Sequence, residues 1–161
     1  MKKAIVVVTL FFLLSIPAMA ADDDDWGGRF GVNAGMFFFN NDALDNSSWF
    51  AGIEYVADMW SIGIDYTAPD RVDQGGDDQM MLLNIDYLYY FNTEDYDETE
   101  IPTYVGIGYT HRFQGDVVSD GGGFNILLGM DWDENWNFEA KYVYFDSDDS
   151  LWGIGVGWFF N

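Results

Sequence analysis

The stretch that decides the fold is Leu151-Trp152-Gly153-Ile154-Gly155-Val156-Gly157-Trp158-Phe159-Phe160. Successive side chains of an extended strand point to opposite faces. Trp152, Ile154, Val156, Trp158 and Phe160 therefore share one face, and Gly153, Gly155 and Gly157 share the other. A soluble sheet would bury the bulky face and leave the glycines on its wet side, where each weakens the strand with no gain in packing. Both halves of the pattern make sense if the bulky face meets lipid and the small face meets a crowded interior.

The same alternation recurs upstream. Phe124, Ile126, Leu128, Met130 and Trp132 oppose Gly123, Asn125, Leu127, Gly129 and Asp131. Ile101, Thr103, Val105, Ile107 and Tyr109 oppose Tyr104, Gly106, Gly108, Thr110 and Arg112. Met81, Leu83, Ile85, Tyr87, Tyr89 and Phe91 oppose Asn84, Asp86 and Tyr90, and Phe30, Val32, Ala34, Met36 and Phe38 oppose Arg29, Gly31, Asn33 and Gly35. Clusters of Asp, Asn, Gly and Pro separate these blocks. The pattern predicts eight strands: Trp26–Phe39, Ser48–Ala57, Met59–Ala68, Gln79–Asn92, Glu100–Phe113, Gly122–Asp133, Asn135–Asp146 and Ser150–Phe160. Globular strands average ~5–6 residues, whereas a tilted membrane-crossing strand needs ~9–11. Backbone groups in lipid must all be paired, which demands closure. The expected fold is all-β: an eight-stranded antiparallel up-and-down transmembrane β-barrel over residues 26–161.

The N-terminus reads as an export signal. Lys2 and Lys3 precede the apolar run Ala4 to Leu14, and Ala18-Met19-Ala20 supplies small residues for cleavage. Residues 1–20 are expected to be removed, leaving 21–25, rich in aspartate, as a periplasmic leader. No Cys follows the cleavage site, so no lipoprotein anchor is expected, and no later stretch approaches the ~20 apolar residues of a membrane helix. The absence of cysteine excludes disulfides, thiolate metal sites and a Cys nucleophile. Beyond the signal, only Arg29, Arg71, Arg112 and Lys141 stand against 28 acids, a net charge of −24. Such a surface repels nucleic acid. The acidity is read as a solubility or salt adaptation.

Aromatic residues sort to the strand ends. Trp60, Trp132, Trp136 and Trp158 gather at the end carrying the short turns, and Trp49 and Trp152 approach the other, as two interfacial girdles require. With the signal, the dyad repeat and the terminal strand from Trp152 to Phe160, the chain resembles the small eight-stranded outer-membrane barrels of the OmpA transmembrane domain, OmpX and OmpW type. The resemblance covers essentially residues 26–160. It implies residence in the outer membrane among lipids and lipopolysaccharide. It also implies termini and short turns in the periplasm, loops outside, and a terminal strand whose Trp158 and Phe160 are read by the barrel-assembly machinery. Asn161 after the final aromatic departs slightly from that pattern, and Thr93–Thr99 is long for a periplasmic turn.

The inward register collects Arg29, Glu54, Asp65, Asp86, Arg112, Asp131, Glu139 and Lys141. Buried charges must be paired and hydrogen-bonded, so these eight are expected to form an ion-pair network that plugs the lumen. The functional alternative is a gated polar path, making the protein a narrow channel or carrier for small or hydrophobic solutes. No cofactor is expected. Catalysis is not expected either: barrels that modify lipid A need His with Ser and a carboxylate, and His111 is the single histidine, with Ser119 eight residues away. The acidic clusters Asp70/Asp73/Asp77/Asp78 and Asp146/Asp148/Asp149 are read as solvated loops, with calcium binding through oxygen ligands as a weaker alternative. The favoured role is structural or interactive at the cell surface.

Overall fold

The computed structural model describes residues 28–72, 75–91, 101–113 and 118–160. The expected signal and leader, Trp26, the segment Thr93–Thr99 and Asn161 lie outside the described residues. Eight antiparallel strands run β1 Arg29–Asn40, β2 Ser47–Ala57, β3 Trp60–Thr67, β4 Met80–Tyr90, β5 Thr103–Phe113, β6 Gly121–Asp131, β7 Trp136–Asp146 and β8 Asp149–Phe160. Each pairs with its sequence neighbours, and β1 pairs with β8, so the sheet closes as an up-and-down barrel. The predicted fold class is the observed one.

Strand ends differ from the sequence reading by one to a few residues, for local reasons. The last strand begins at Asp149, because Ser147 and Asp148 suffice for the turn and Asp146 Oδ1 accepts the Asp148 N–H at 3.0 Å. β6 stops at Asp131, because Asp133 Oδ1 accepts the N–H groups of Asn135 and Trp136, each at 2.8 Å, and builds an Asx turn there. β3 starts at Trp60 after Asp58 enters the left-handed region at φ 52°, a conformation aspartate tolerates better than most residues.

At the opposite end the β1–β2 and β3–β4 connections are knitted together. Leu44 bridges Arg71, the Asp45 N–H donates to Asp70 O at 2.7 Å, and the Val72 N–H donates to Ala43 O at 3.2 Å. Beneath them Leu44, Met80 and Val118 form a buried cluster against Phe39. The loops make a lid on the barrel.

Outside, the belt is apolar: Trp60, Trp132 and Trp152 are 54%, 61% and 57% exposed, among Ile107, Phe124, Leu128 and Ile154. Inside, the sequence reading found glycine, amide and charge, and the structure adds two apolar seals. Phe37, Phe50, Leu82, Val143 and Leu151 close the loop side, and Val56, Leu88, Tyr104, Leu127 and Phe159 close the turn side. Along β2, Phe50 and Val56 bracket Gly52 and Glu54; along β4, Leu82 and Leu88 bracket Asn84 and Asp86. An eight-stranded barrel has just enough interior for side chains to fill, so each large inward ring needs a glycine opposite. Phe50 lies over Gly35 and Gly155, and Phe37, stacked on Phe50 at 4.2 Å, lies over Gly153.

This packing sets a test. At Gly35 a side chain would run into the Ile154 carbonyl and the Phe50 ring, whereas at Gly121 the nearest atom to a Cβ is Arg112 Nη2 at 3.9 Å. Gly35→Val is expected to abolish the heat-modifiable folded band in detergent, and Gly121→Ala to keep it. A folded Gly35→Val barrel would overturn the proposed lumen packing.

Candidate functional site: a sealed polar tier in the lumen

All eight charged residues expected on the inward register point inward, and the structure sorts them into three levels. At the turn end Arg29 Nη2 meets Asp131 Oδ2 at 2.9 Å, with the guanidinium 4.4 Å above the Phe159 ring. At the loop end Arg112 Nη2 meets Asp149 Oδ2 at 2.6 Å, donates from Nε to Ser119 O, and lies 4.3 Å above the Phe145 ring. Asp149, expected in a loop, stands instead in β8, and this makes it the partner of Arg112. In the middle, Lys141 Nζ sits 3.6 Å from Asp86 Oδ2 and 3.5 Å from Glu139 Oε1. Neither Glu54 nor Asp65 has a cation within ion-pair distance among the described residues.

Neutral groups tie this middle tier together. Ser61 Oγ donates to Glu54 Oε1 at 2.5 Å. A directional chain crosses four strands: Asn125 Nδ2 donates to Thr110 Oγ1, Thr110 donates to Asn84 Oδ1, and Asn84 Nδ2 donates to Asp65 Oδ2, each at 2.8 Å. From β7, Asn137 Nδ2 donates to the Tyr104 hydroxyl at 3.1 Å, which stands 3.5 Å from Glu139 Oε2. The amides and Thr110 were legible as inward residues, but not as a relay, because each link joins a different strand.

A cavity of 20 Å³ opens within this tier, lined by Glu54, Asp65, Glu139, Lys141, Asn33 and Asn137, with Phe37 and Phe50 above. It has room for about one water molecule.

The loop acids are not all solvated. Asp78 is fully buried, accepts the Val118 N–H at 3.2 Å on Oδ2 and faces Arg71 Nη2 at 3.6 Å from Oδ1, so it pins the lid. Asp73 lies outside the described residues. Asp70 and Asp77 are bridge partners. A hydrogen bond shared with Asp77, and the repulsion between the two carboxylates, hold Asp70 above the usual carboxyl range. Among the described residues no three acids or histidines converge as a divalent site requires, which gives the loop-calcium reading no support. His111 faces outward, with Nδ1 3.4 Å from the Tyr109 hydroxyl and its ring against Phe113, and among the described residues no serine or carboxylate is bonded to it.

The six girdle tryptophans all lie on the outer face. Trp49 packs on Tyr66 at 5.8 Å toward the loop end, and Trp152 on Tyr142 at 4.6 Å. Trp60 meets Tyr87 at 5.3 Å, Trp132 meets Phe138 at 6.3 Å, and Trp136 meets Trp158 at 6.4 Å. Trp158 and Phe160 contact each other at 4.6 Å on the outer face of β8.

No protein-family model matches the sequence, and no curated protein matches it significantly. Solved structures do. Neisserial surface protein A (NspA) aligns with TM-score 0.55 at 15% identity, over 85% of this chain and 100% of that one. The N-terminal β-barrel domain of Pseudomonas aeruginosa OprF aligns with TM-score 0.49 at 21% identity, over 83% of this chain and 100% of that one. Ail, the attachment invasion locus protein of Yersinia pestis, aligns with TM-score 0.45 at 15% identity, over 85% and 100%.

Two tests come from this site. Removing one partner of a buried pair strands the others, at a cost of about 3–5 kcal/mol. Lys141→Met is therefore expected to lower the melting midpoint in detergent markedly, and an unchanged midpoint would remove the network. For the lid the sign runs with protonation. A carboxyl whose folded value is raised binds its proton more tightly when folded, so the contact is firmest below the usual carboxyl range and loosens as pH climbs from that range through the raised folded value. Protection of the Asp45 and Arg71 amides, taken relative to the intrinsic exchange rate at each pH, should fall over that rise, and Asp77→Asn should flatten the response. The chain has the fold of the small eight-stranded outer-membrane β-barrels.

Proposed function

We propose that this chain is an integral outer-membrane protein, closed to solute flow, that acts through its surface in a structural or interaction role and catalyses nothing. One observation carries the reading: the polar tier is bounded on both sides by buried apolar clusters, and its cavity admits about one water. A conducting path would need a continuous wetted column. The apolar belt with aromatic residues toward both ends supports insertion among outer-membrane lipids and lipopolysaccharide.

In this reading the signal is cleaved after Ala20, the termini and short turns lie in the periplasm, and the knitted loops face outward. The assembly machinery recognises the terminal strand through Trp158 and Phe160. The eight inward charges serve as a structural plug, and the lid around Asp78 is the surface offered to a partner.

Planar-bilayer recording tests this. Protein first shown to be folded by heat-modifiable mobility is expected to give no stable openings, in a membrane where a porin conducts. Sustained unitary conductance would replace the closed barrel with the channel or carrier. Mass spectrometry of lipid A after expression is expected to show no change, and a new acylation or deacylation product would restore the enzymatic reading.

A further inference from the structure

The middle tier is short of positive charge. Glu54, Asp65, Asp86 and Glu139 share the single ammonium of Lys141, and Arg29 and Arg112 are engaged at the two ends by Asp131 and Asp149. Buried apolar clusters lie on both sides of this surplus. Ionised carboxylates without a counter-charge are costly in such a setting.

Hydrogen-bonding capacity shows the same deficit. Asn33 Oδ1, Asp65 Oδ1 and Asn137 Oδ1 are buried and have no partner, and all three residues line the cavity. Asp65 and Asn137 are each 97% buried, at 3% exposure. Their other atoms are committed: Asp65 Oδ2 terminates the relay from Asn125, and Asn137 Nδ2 is given to Tyr104. Asn33 Oδ1 and Asp65 Oδ1 come together over Gly52, and Asn137 Oδ1 lies over Gly157, where a Cβ would collide with them. Glycine makes the room, and these unpartnered acceptors line the same cavity as the Lys141 ammonium.

We propose that this chamber binds one small monovalent cation of sodium size, held entirely by oxygen, with Asp65, Asn33 and Asn137 as its side-chain ligands. Hard cations take carboxylate and amide oxygens, and the cavity fits one water-sized particle. A divalent ion is disfavoured because no three acids converge among the described residues. With the chamber sealed, the ion enters as the barrel closes and leaves slowly. It supplies the positive charge and the electrophilic partner that the relay ending on Asp65 lacks.

The test folds the protein into detergent in sodium chloride, potassium chloride or N-methyl-D-glucamine chloride at equal ionic strength. All samples are then moved into the bulky-cation buffer by gel filtration. Atomic emission is expected to find about one sodium retained per chain, and the melting midpoint to rise with the logarithm of sodium concentration at constant ionic strength. Potassium should do less. Asp65→Asn, which keeps an acceptor for Asn84 but loses the charge, is expected to lose the retained sodium and the sodium-dependent shift. If that variant does not fold, Asn137→Leu takes its place, and the wild-type comparison across salts decides by itself. No retained sodium with identical melting in all three salts would overturn the proposal, leaving water and protons to satisfy the tier. Equal retention by wild type and variants would overturn it too, by placing the ion elsewhere.

Discussion

The seam between β1 and β8 is the contact on which everything else rests. It runs from Phe30 opposite Phe160 to Asn40 opposite Ser150, and it turns an eight-stranded ribbon into a surface with no edge. In hydrocarbon each unpaired backbone group costs several kcal/mol, so a chain wearing Trp152, Ile154 and Ile107 on its outside has no stable open form in lipid. Closure also fixes the bore. Eight strands leave a lumen that side chains must fill, and every inward residue is then chosen against its neighbour across a narrow gap.

That narrowness explains the glycines better than any conformational preference does. Gly35, Gly153 and Gly155 are where Phe37 and Phe50 lie, and Gly108 is where the Asp86 carboxylate lies. Several inward glycines are complements of a large or charged side chain on another strand. The two apolar seals follow from the same rule, with Leu82 and Val143 above and Leu88 and Leu127 below. They convert what would be a wet column into a short enclosed tier, in which an ion pair is screened far less than at the surface.

Fold and facing were legible because each strand displays its own alternation; Trp152 to Phe160 shows it without reference to the rest of the chain. The seals were not, because each strand contributes only one or two residues to each. Phe37 and Phe159 share a parity with glycines and amides and become a plug only when the register brings Phe50 and Leu88 alongside. Asp149 shares the parity of Gly153, yet it reads as loop until a two-residue turn and the irregularity near Tyr144 and Asp146 bring it beneath Arg112. The lid was invisible for a different reason: Asp78 looks like any loop aspartate until Val118, forty positions on, presents its N–H.

A polar tier inside a barrel is hard to justify on stability alone, since a well-packed apolar interior of equal volume is often as stable or more so. Its value lies in telling the two faces apart. If both faces of every strand were greasy, a slip of one residue would exchange lumen for lipid with little penalty. Here the same slip would push Lys141 onto the apolar outer face, and in lipid a basic residue at the midplane costs about 2–4 kcal/mol; it would also strand Asp86 and Glu139. Arg29 and Arg112 apply the same constraint near the two ends, through Asp131 and Asp149. A sequence with four basic residues beyond its expected signal has set three of them at three heights of the lumen, which pins the register of β1, β5 and β7. The remaining one, Arg71, lies beside Asp78 in the lid. The scarcity of positive charge is thus matched by its placement, and the acids without a cation, Glu54 and Asp65, mark the level at which the chain's own supply runs out.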